Sequence, residues 1–198
     1  MQYVFVEPGI TVTAAGIAVT VEGFGAFKLL ASQYLLDEGI GKEGPDGMIS
    51  VKNEEWYDAQ AYLNAWKRIS SEVSEHILEN AGRAAPEKAE FPPHMRNIEM
   101  ALRSVDIAYH MNHKKNGVPM YDPMTGQMTE GIGHYRYERT AGKNEIVMTC
   151  DTPYPCAFDR GLLLALARRF QPNAKLTHDP AGLCRKRGGE HCRYFITW

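Results

Sequence analysis

The sequence lacks long apolar runs and long basic runs, and each absence argues against one class of function. Its most apolar stretch, residues 10–21, is interrupted by threonine and glycine and falls far short of the ~20 apolar residues that a membrane span needs. The densest basic stretch, Arg185 to Arg187, is short, and the formal net charge is −2, which argues against nucleic acid as a main partner. Residues 1–6 lack the basic segment of a signal peptide, so we expect a cytoplasmic location.

Several well-known catalytic motifs are also missing. The sequence contains no G-x-S-x-G nucleophile elbow, no H-E-x-x-H zinc motif and no P-loop. No nucleophile with an adjacent base can be recognised either. The sequence therefore favours a binding protein over an enzyme.

The composition is that of an ordinary globular protein. Of the 198 residues, 44% are hydrophobic and 23% are charged. This length fits one domain. We predict a single domain over residues 1–198, with a mainly helical part at 1–130 and a second part at 131–198.

Hydrophobic periodicity divides the first part into strands and helices. Residues 1–21 alternate and are rich in Val, Ile and Thr, which predicts one or two strands. Residues 23–38 predict an amphipathic helix that ends at Gly39. A longer helix is predicted from the N-cap Asn53 to Gly82, because one apolar stripe runs through Leu63, Trp66, Ile69, Val73 and Ile77. A third helix is predicted over 95–113, followed by a polar loop.

The second part has a different pattern. Two strands, a helix and two further strands are predicted at 132–140, 145–150, 157–170, 174–178 and 191–198. Cys192, Tyr194, Ile196 and Trp198 share one face of the last strand by the period-two rule. The whole order predicts an α+β fold, in which N-terminal helices pack on an antiparallel sheet with a strand-strand-helix-strand-strand C-terminal half.

All four cysteines fall in this second part, and three of them lie near predicted turns. Cys156 precedes a helix, Cys184 and Cys192 flank a Gly-Gly turn, and His178 ends the preceding strand. Together they would supply the four nitrogen and sulfur ligands of a zinc site. The spacing alone favours small buried cysteines over a metal site, and a reversible Cys184–Cys192 disulfide is a third interpretation.

The C-terminal sequence resembles the ending of the 4-vinyl reductase, or hydrocarbon-binding, domain family. The resemblance rests on Cys184, the turn at Gly188-Gly189, Cys192, the aromatic Tyr194 and the terminal Trp198, and upstream on Pro153-Tyr154-Pro155-Cys156. It implies a distantly TRAPP-like fold and a similarity to the sensor domain of phenol-responsive activators.

In those activators three cysteines and a glutamate bind zinc. The resemblance therefore implies that Cys156, Cys184 and Cys192 are zinc ligands. The position of the glutamate is occupied by Ala181, so His178 or Asp179 would have to complete the site.

Aromatic residues and histidines from both parts predict a pocket at the junction of helices and sheet. Apolar pockets with a few polar groups are the usual sites for small molecules. The predicted lining is Trp66, Tyr109, His110, His113, Tyr135, Tyr137, Phe158, Tyr194 and Trp198. His110 and His113 are also typical of polar residues at the end of a helix.

The main functional hypothesis is a sensory domain that binds a small hydrophobic or aromatic molecule, works as a homodimer and has a signalling protein as a partner. The resemblance also implies two alternatives. One is a protein that binds haem or another tetrapyrrole, with His110, His113, His178 or a cysteine as axial ligand. The other is an enzyme related to tetrapyrrole vinyl reductases.

Overall fold

Short strands and six helices make up the computed structural model, which describes residues 1–89 and 91–198. The elements up to residue 119 are, in chain order, β1 (Ile10–Thr13), α1 (Ala14–Gly23), α2 (Lys28–Asp37), β2 (Lys42–Glu43), β3 (Ile49–Ser50), β4 (Trp56–Asp58), α3 (Ala59–Glu72), α4 (Glu75–Lys88), α5 (Ile98–Met111), β5 (His113–Lys115) and β6 (Val118–Pro119). Four of these strands form a small antiparallel sheet in the order β4-β1-β5-β6. Strands β2 and β3 pair with each other.

The remaining elements form a second antiparallel sheet with one helix. They are β7 (Tyr135–Arg139), β8 (Glu145–Cys150), α6 (Cys156–Phe170), β9 (Lys175–His178) and β10 (Cys192–Thr197). The strand order is β7-β8-β10-β9. The predicted α+β fold with its strand-strand-helix-strand-strand C-terminal half is therefore confirmed, and Cys192, Tyr194 and Ile196 are buried on one face of β10 as their spacing predicts.

The prediction of strands over residues 1–21 holds only for Ile10–Thr13, since residues 1–9 form no strand and helix α1 begins at Ala14. The Thr13 side chain accepts a hydrogen bond from the Gly16 amide and caps helix α1. Ile17, Thr20 and Val21 are buried in this helix, which packs against α4. A β-branched composition predicts a strand only weakly when tertiary packing favours a buried helix.

The helix predicted from Asn53 to Gly82 is in fact two helices preceded by a strand. Asp58 accepts a hydrogen bond from the Ala61 amide and starts α3, and Ser74 caps the start of α4. The apolar stripe continues across the break because both helices bury it in the same core. Gly82, predicted as a helix terminus, lies inside α4.

Helices α4 and α6 cross in close backbone contact at two glycines. A Cβ atom added to Gly161 would lie 2.9 Å from the carbonyl carbon of Glu79 and 3.1 Å from the amide nitrogen of Arg83. A Cβ atom on Gly82 would lie 2.9 Å from the amide nitrogen of Leu162. This contact joins the helical part of the chain to the C-terminal sheet and its helix.

One hydrophobic core includes residues from both parts, from Phe5 to Ile196. Among the described residues, no single helix is long and apolar enough to cross a membrane. The consecutive helical segments 14–23 and 25–37 reach that length and composition only together, and they are bent by 115°.

Candidate functional site

A cavity of about 400 Å³ lies among helices α1, α3, α4, α5 and α6. Its volume is within the range of small-molecule sites, about 300–1,000 Å³. The lining is mainly apolar and includes the aromatic residues Tyr62, Trp66, Phe91, Tyr109, Tyr135, Tyr154 and Phe158. Lys88 is the charged residue that lines it, at the exposed end of α4. The cavity is therefore suited to a flat apolar molecule with a polar edge.

Trp66 forms the centre of the aromatic wall. Its ring centroid lies 4.8 Å from that of Tyr62 and 4.9 Å from that of Phe158. These contacts hold the indole in place, and the side chain is fully buried. The indole Nε1–H has no hydrogen-bond partner in the part of the chain that the structure describes. A buried donor of this kind is rare unless a ligand or water accepts its hydrogen bond.

His113 supplies a neutral imidazole to the cavity. Its Nδ1 lies 2.7 Å from the carbonyl oxygen of Tyr109, so Nδ1 carries the proton and donates it. The lone pair is then on Nε2, which accepts a hydrogen bond of 3.1 Å from the Tyr154 hydroxyl. Burial lowers the pKa of His113 to about 4. An imidazole fixed through Nδ1–H, with a neutral Nε2, has the arrangement of a metal-ligating histidine.

Behind Tyr135 lies a buried network that centres on Asp159. The carboxylate accepts hydrogen bonds from the hydroxyls of Tyr135 (2.7 Å) and Tyr194 (3.2 Å) and pairs with the Arg185 guanidinium. Both charged side chains are completely buried. Burial raises the pKa of Asp159, while Arg185 and the tyrosine hydroxyls stabilise its ionised form. Arg185 also donates to the backbone carbonyl of Thr152.

The structure brings Cys156, Cys184 and Cys192 together. Their sulfur atoms all lie within 4.8 Å of one another, and all three side chains are buried and free of disulfide bonds. Arg185 Nε donates to Cys192 Sγ at 3.4 Å. The pKa of the Cys192 thiol is lowered by hydrogen bonds from Cys156 and His178 and by the charge of Arg185. The same contact with Cys192 raises the pKa of Cys156, so Cys192 is the cysteine of this pair that favours the thiolate, beside the Arg185 cation.

The fourth predicted ligand, His178, lies beside the cluster on β9. Its ring stacks on Tyr194 with centroids 4.7 Å apart. Together with Cys184 and Cys192 it lines a separate cavity of about 390 Å³, whose other charged or polar lining residues include Asp179, Glu190 and His191.

Of the nine predicted pocket residues, five line the large cavity: Trp66, Tyr109, His113, Tyr135 and Phe158. The structure places the other four elsewhere. His110 stacks on His134, Tyr194 belongs to the Asp159 network, and Tyr137 and Trp198 lie under the guanidinium groups of Arg103 and Arg139.

The sequence reasoning missed Tyr154, Asp159 and Arg185. Asp159 and Arg185 are 26 residues apart, and neither is marked by a motif. One signal was available: Arg185 directly follows Cys184, and Asp159 lies one helical turn after Cys156, so each charge neighbours a predicted ligand.

Gly39, Gly41 and Gly44 have the spacing G-x-G-x-x-G of a dinucleotide-binding motif. They follow helix α2 rather than a strand, so the structural context of a dinucleotide site is missing.

No protein-family model and no curated protein matches this sequence. Solved structures of H-NOX proteins do resemble the fold. An oxygen-binding H-NOX domain related to soluble guanylate cyclases aligns with a TM-score of 0.59 and 14% identity, over 93% of this chain and 92% of the other. The unliganded Fe(II) H-NOX protein from K. algicida aligns with a TM-score of 0.60 and 11% identity, over 93% and 95%.

A third structure, the H-NOX protein from S. oneidensis in the Fe(II)NO state, gives a TM-score of 0.56 and 14% identity, over 91% of this chain and 97% of the other. The chain therefore has the H-NOX fold over nearly its whole length. The predicted membership of the 4-vinyl reductase family is wrong, because the structural neighbours are H-NOX proteins. The resemblance rested on a C-terminal pattern of cysteines, glycines and aromatics, which is too short to define a family.

Proposed function

We propose that the chain is a sensory domain that binds haem, or a closely similar tetrapyrrole, in the aromatic cavity. The observation that carries this proposal is the neutral His113 imidazole, which is fixed through Nδ1–H to the Tyr109 carbonyl and whose Nε2 contacts Tyr154 at the wall of an apolar cavity. The H-NOX fold supports it, since H-NOX neighbours include an oxygen complex and an Fe(II)NO state.

The residues of the cavity fit such a group. His113 is the residue that would hold the iron, through the Nε2 that accepts a hydrogen bond from Tyr154 in this structure. Trp66, Tyr62 and Phe158 offer flat faces to a macrocycle, and the unpartnered Trp66 Nε1–H offers a donor to a polar substituent. Lys88 lies where an acidic edge of the ligand would reach solvent.

When bound, the haem iron would supply a site for a diatomic gas. The protein's own part is to exclude bulk water with the aromatic wall, to keep His113 neutral through burial and to hold its ring through the Tyr109 carbonyl. The homodimer and the signalling partner stay predictions.

The test is titration of the apo-protein with haem, followed by absorbance in the Soret region. We expect a sharp Soret band at one haem per chain, which is lost or shifted in His113→Ala. Added imidazole is expected to restore the wild-type spectrum in that variant, because it replaces the missing ligand in the cavity. His94→Ala is the matched control, since His94 is exposed and outside the cavity.

Two results would contradict the proposal. Absence of a Soret band from the wild-type protein would refute haem binding as such. A band that is unchanged in His113→Ala would refute His113 as the axial ligand.

A second proposal is that Cys156, Cys184 and Cys192 bind a metal ion, with His178 as the candidate fourth ligand. The convergence of three sulfurs within 4.8 Å favours it. Zinc is the expected ion for a sulfur and nitrogen set. We expect protein purified without chelator to contain zinc, and Cys184→Ser to lose it.

The matched control for this test is Cys150→Ser, since Cys150 is also buried but lies outside the cluster. Elemental mass spectrometry and thiol titration are the measurements. Four freely reacting thiols together with no cysteine-dependent metal would reject a metal at this cluster.

A further inference from the structure

A separate cluster of Asp106, His110 and His134 lies where helix α5 meets the start of β7. One ligand atom from each residue lies within 4.8 Å of those of the other two. Asp106 Oδ2 is 2.9 Å from His134 Nδ1, and Asp106 Oδ1 is 3.5 Å from His110 Nδ1. Donor atoms around a tetrahedral zinc ion are separated by about 3.3 Å, given bonds of ~2.0–2.1 Å. The Asp106 and His134 atoms already have nearly this spacing.

The backbone fixes the positions of these side chains. Asp106 and His110 are one turn apart on α5, so both face the same side of the helix. Asp106 Oδ1 accepts a hydrogen bond of 2.9 Å from the Tyr135 amide, which holds the start of β7 against the carboxylate. The rings of His110 and His134 stack with centroids 4.9 Å apart.

Each ring of the cluster has a feature that a cation would explain. His134 has carboxylates at both nitrogens, since its Nε2 is 3.0 Å from Glu130 Oε2. A metal-ligating histidine is commonly held in this way, with its second N–H donated to a carboxylate. His110 is fully buried, and its Nδ1–H donates a hydrogen bond of 2.9 Å to the backbone carbonyl of Asp106, so the lone pair available to a metal is on Nε2. Its Nε2 has no hydrogen-bond partner among residues 1–89 and 91–198.

We propose that Asp106, His110 and His134 form a binding site for a divalent transition-metal cation of the zinc class, with Glu130 orienting His134. Two imidazoles and one carboxylate are borderline ligands that suit Zn²⁺, Co²⁺, Ni²⁺ or Fe²⁺ and disfavour Ca²⁺. Binding displaces the Nδ1 proton of His134 to solvent. Three protein ligands leave at least one coordination position for water or a small anion.

This site is distinct from both sites described above. None of its three ligands lines the aromatic cavity or belongs to the cysteine cluster. The side chains of Asp106 and His134 are 18% and 13% exposed, so a cation can reach them from solvent.

The test is Co²⁺ binding to the whole protein, measured by equilibrium dialysis and by absorbance. Cobalt bound by thiolates gives an intense near-ultraviolet charge-transfer band, whereas cobalt at nitrogen and oxygen ligands gives only weak visible bands. We expect about one equivalent of cobalt without thiolate character per chain, in addition to any bound by the cysteines.

Substitutions in the cluster test whether this non-thiolate cobalt is bound by Asp106, His110 and His134. His134→Gln and Asp106→Asn are expected to abolish it without changing the charge-transfer band. Glu130→Gln is expected to weaken it about 10–100-fold, the usual effect of removing a partner of a metal-bound histidine. Glu130 is largely exposed, so this variant keeps the fold even where a buried substitution does not.

His94→Gln is the matched control and should bind cobalt as the wild type does. Addition of Zn²⁺ should displace the cobalt, while Ca²⁺ should not. The proposal is overturned if the wild type binds no cobalt beyond the thiolate-bound fraction, or if Glu130→Gln and His134→Gln both bind it as tightly as the wild type.

Discussion

The crossing of α4 and α6 gives a sharp prediction, because a single methyl group decides between two opposing effects. In an isolated helix, Gly161→Ala would stabilise the helical state by about 1 kcal/mol. In this protein the new Cβ would lie 2.9 Å from the Glu79 carbonyl carbon and 3.1 Å from the Arg83 amide nitrogen. Ordinary van der Waals contacts of a Cβ atom begin at 3.4 Å, and the Glu79 carbonyl oxygen lies even closer to the new Cβ than the carbonyl carbon does, so the helices must separate by about 1 Å or more.

The cost of that separation should exceed the gain in helix propensity. Overpacking of this kind costs about 1–3 kcal/mol, and the upper end applies because the obstacle is backbone rather than a movable side chain. We therefore expect Gly161→Ala to lower the free energy of unfolding by about 2 kcal/mol net. For a chain of this size that corresponds to a decrease in Tm of about 4–8 °C.

Urea and thermal unfolding followed by circular dichroism measure this effect. Gly16→Ala is the matched control on another helix, since its Cβ would lie 3.2 Å from Thr13 Oγ1 and 3.6 Å from a methyl group of Val12. That variant should remain within about 1 kcal/mol of the wild type. If Gly161→Ala were as stable as the wild type or more so, the close backbone contact between the two helices would be disproved.

Two further predictions concern charged side chains. Burial raises the pKa of Glu79, but the hydrogen bonds from Arg83 and Arg160 lower it by a larger amount, so the net shift is downward. A carboxyl group whose pKa is lowered in the folded state stabilises the protein at pH values above its pKa in the unfolded chain. This stabilisation is lost as the pH falls through the folded-state pKa. Urea unfolding as a function of pH should therefore show that Glu79→Gln loses less stability than the wild type below about pH 5; equal losses would contradict this. Arg185→Leu should destabilise the fold by about 3–5 kcal/mol, because it leaves Asp159 buried without its partner, and the double variant Arg185→Leu with Asp159→Leu should recover part of that loss. The free energies of unfolding of the two single variants and the double variant should be compared. If the losses in Arg185→Leu and Asp159→Leu simply add up in the double variant, the two charges do not interact.

The C-terminal half was predictable because its signals are local. The strand β10 alternates strictly, and Cys192, Tyr194 and Ile196 are buried as the period-two rule requires. The N-terminal half was harder because its strands are two to four residues long, too short for alternation to be seen. The break between α3 and α4 depends on the Ser74 cap, whose effect is hidden by an apolar stripe that continues through it.

The candidate sites were only partly predictable for a similar reason. Cys156, Cys184 and Cys192 could be grouped because cysteines are few and the Gly-Gly turn places two of them together. The pairing of Asp159 with Arg185 joins α6 to the loop before β10, and nothing in the local sequence requires it. Ion pairs of this kind become visible only when the tertiary fold is known.

The buried carboxylate of Asp159 touches both the wall of the aromatic cavity, through Tyr135, and the neighbourhood of the thiols, through Arg185. Three side chains, Tyr135, Asp159 and Arg185, therefore connect two chemically different sites by direct contacts. If a ligand in the cavity accepted a hydrogen bond from the Tyr135 hydroxyl, Asp159 would lose one donor and would bind Arg185 more strongly, which would weaken the hydrogen bond from Arg185 to Cys192. Thermodynamic reciprocity then requires that any change the occupant makes in the metal affinity of the thiols is matched by an equal change that the metal makes in the affinity of the cavity.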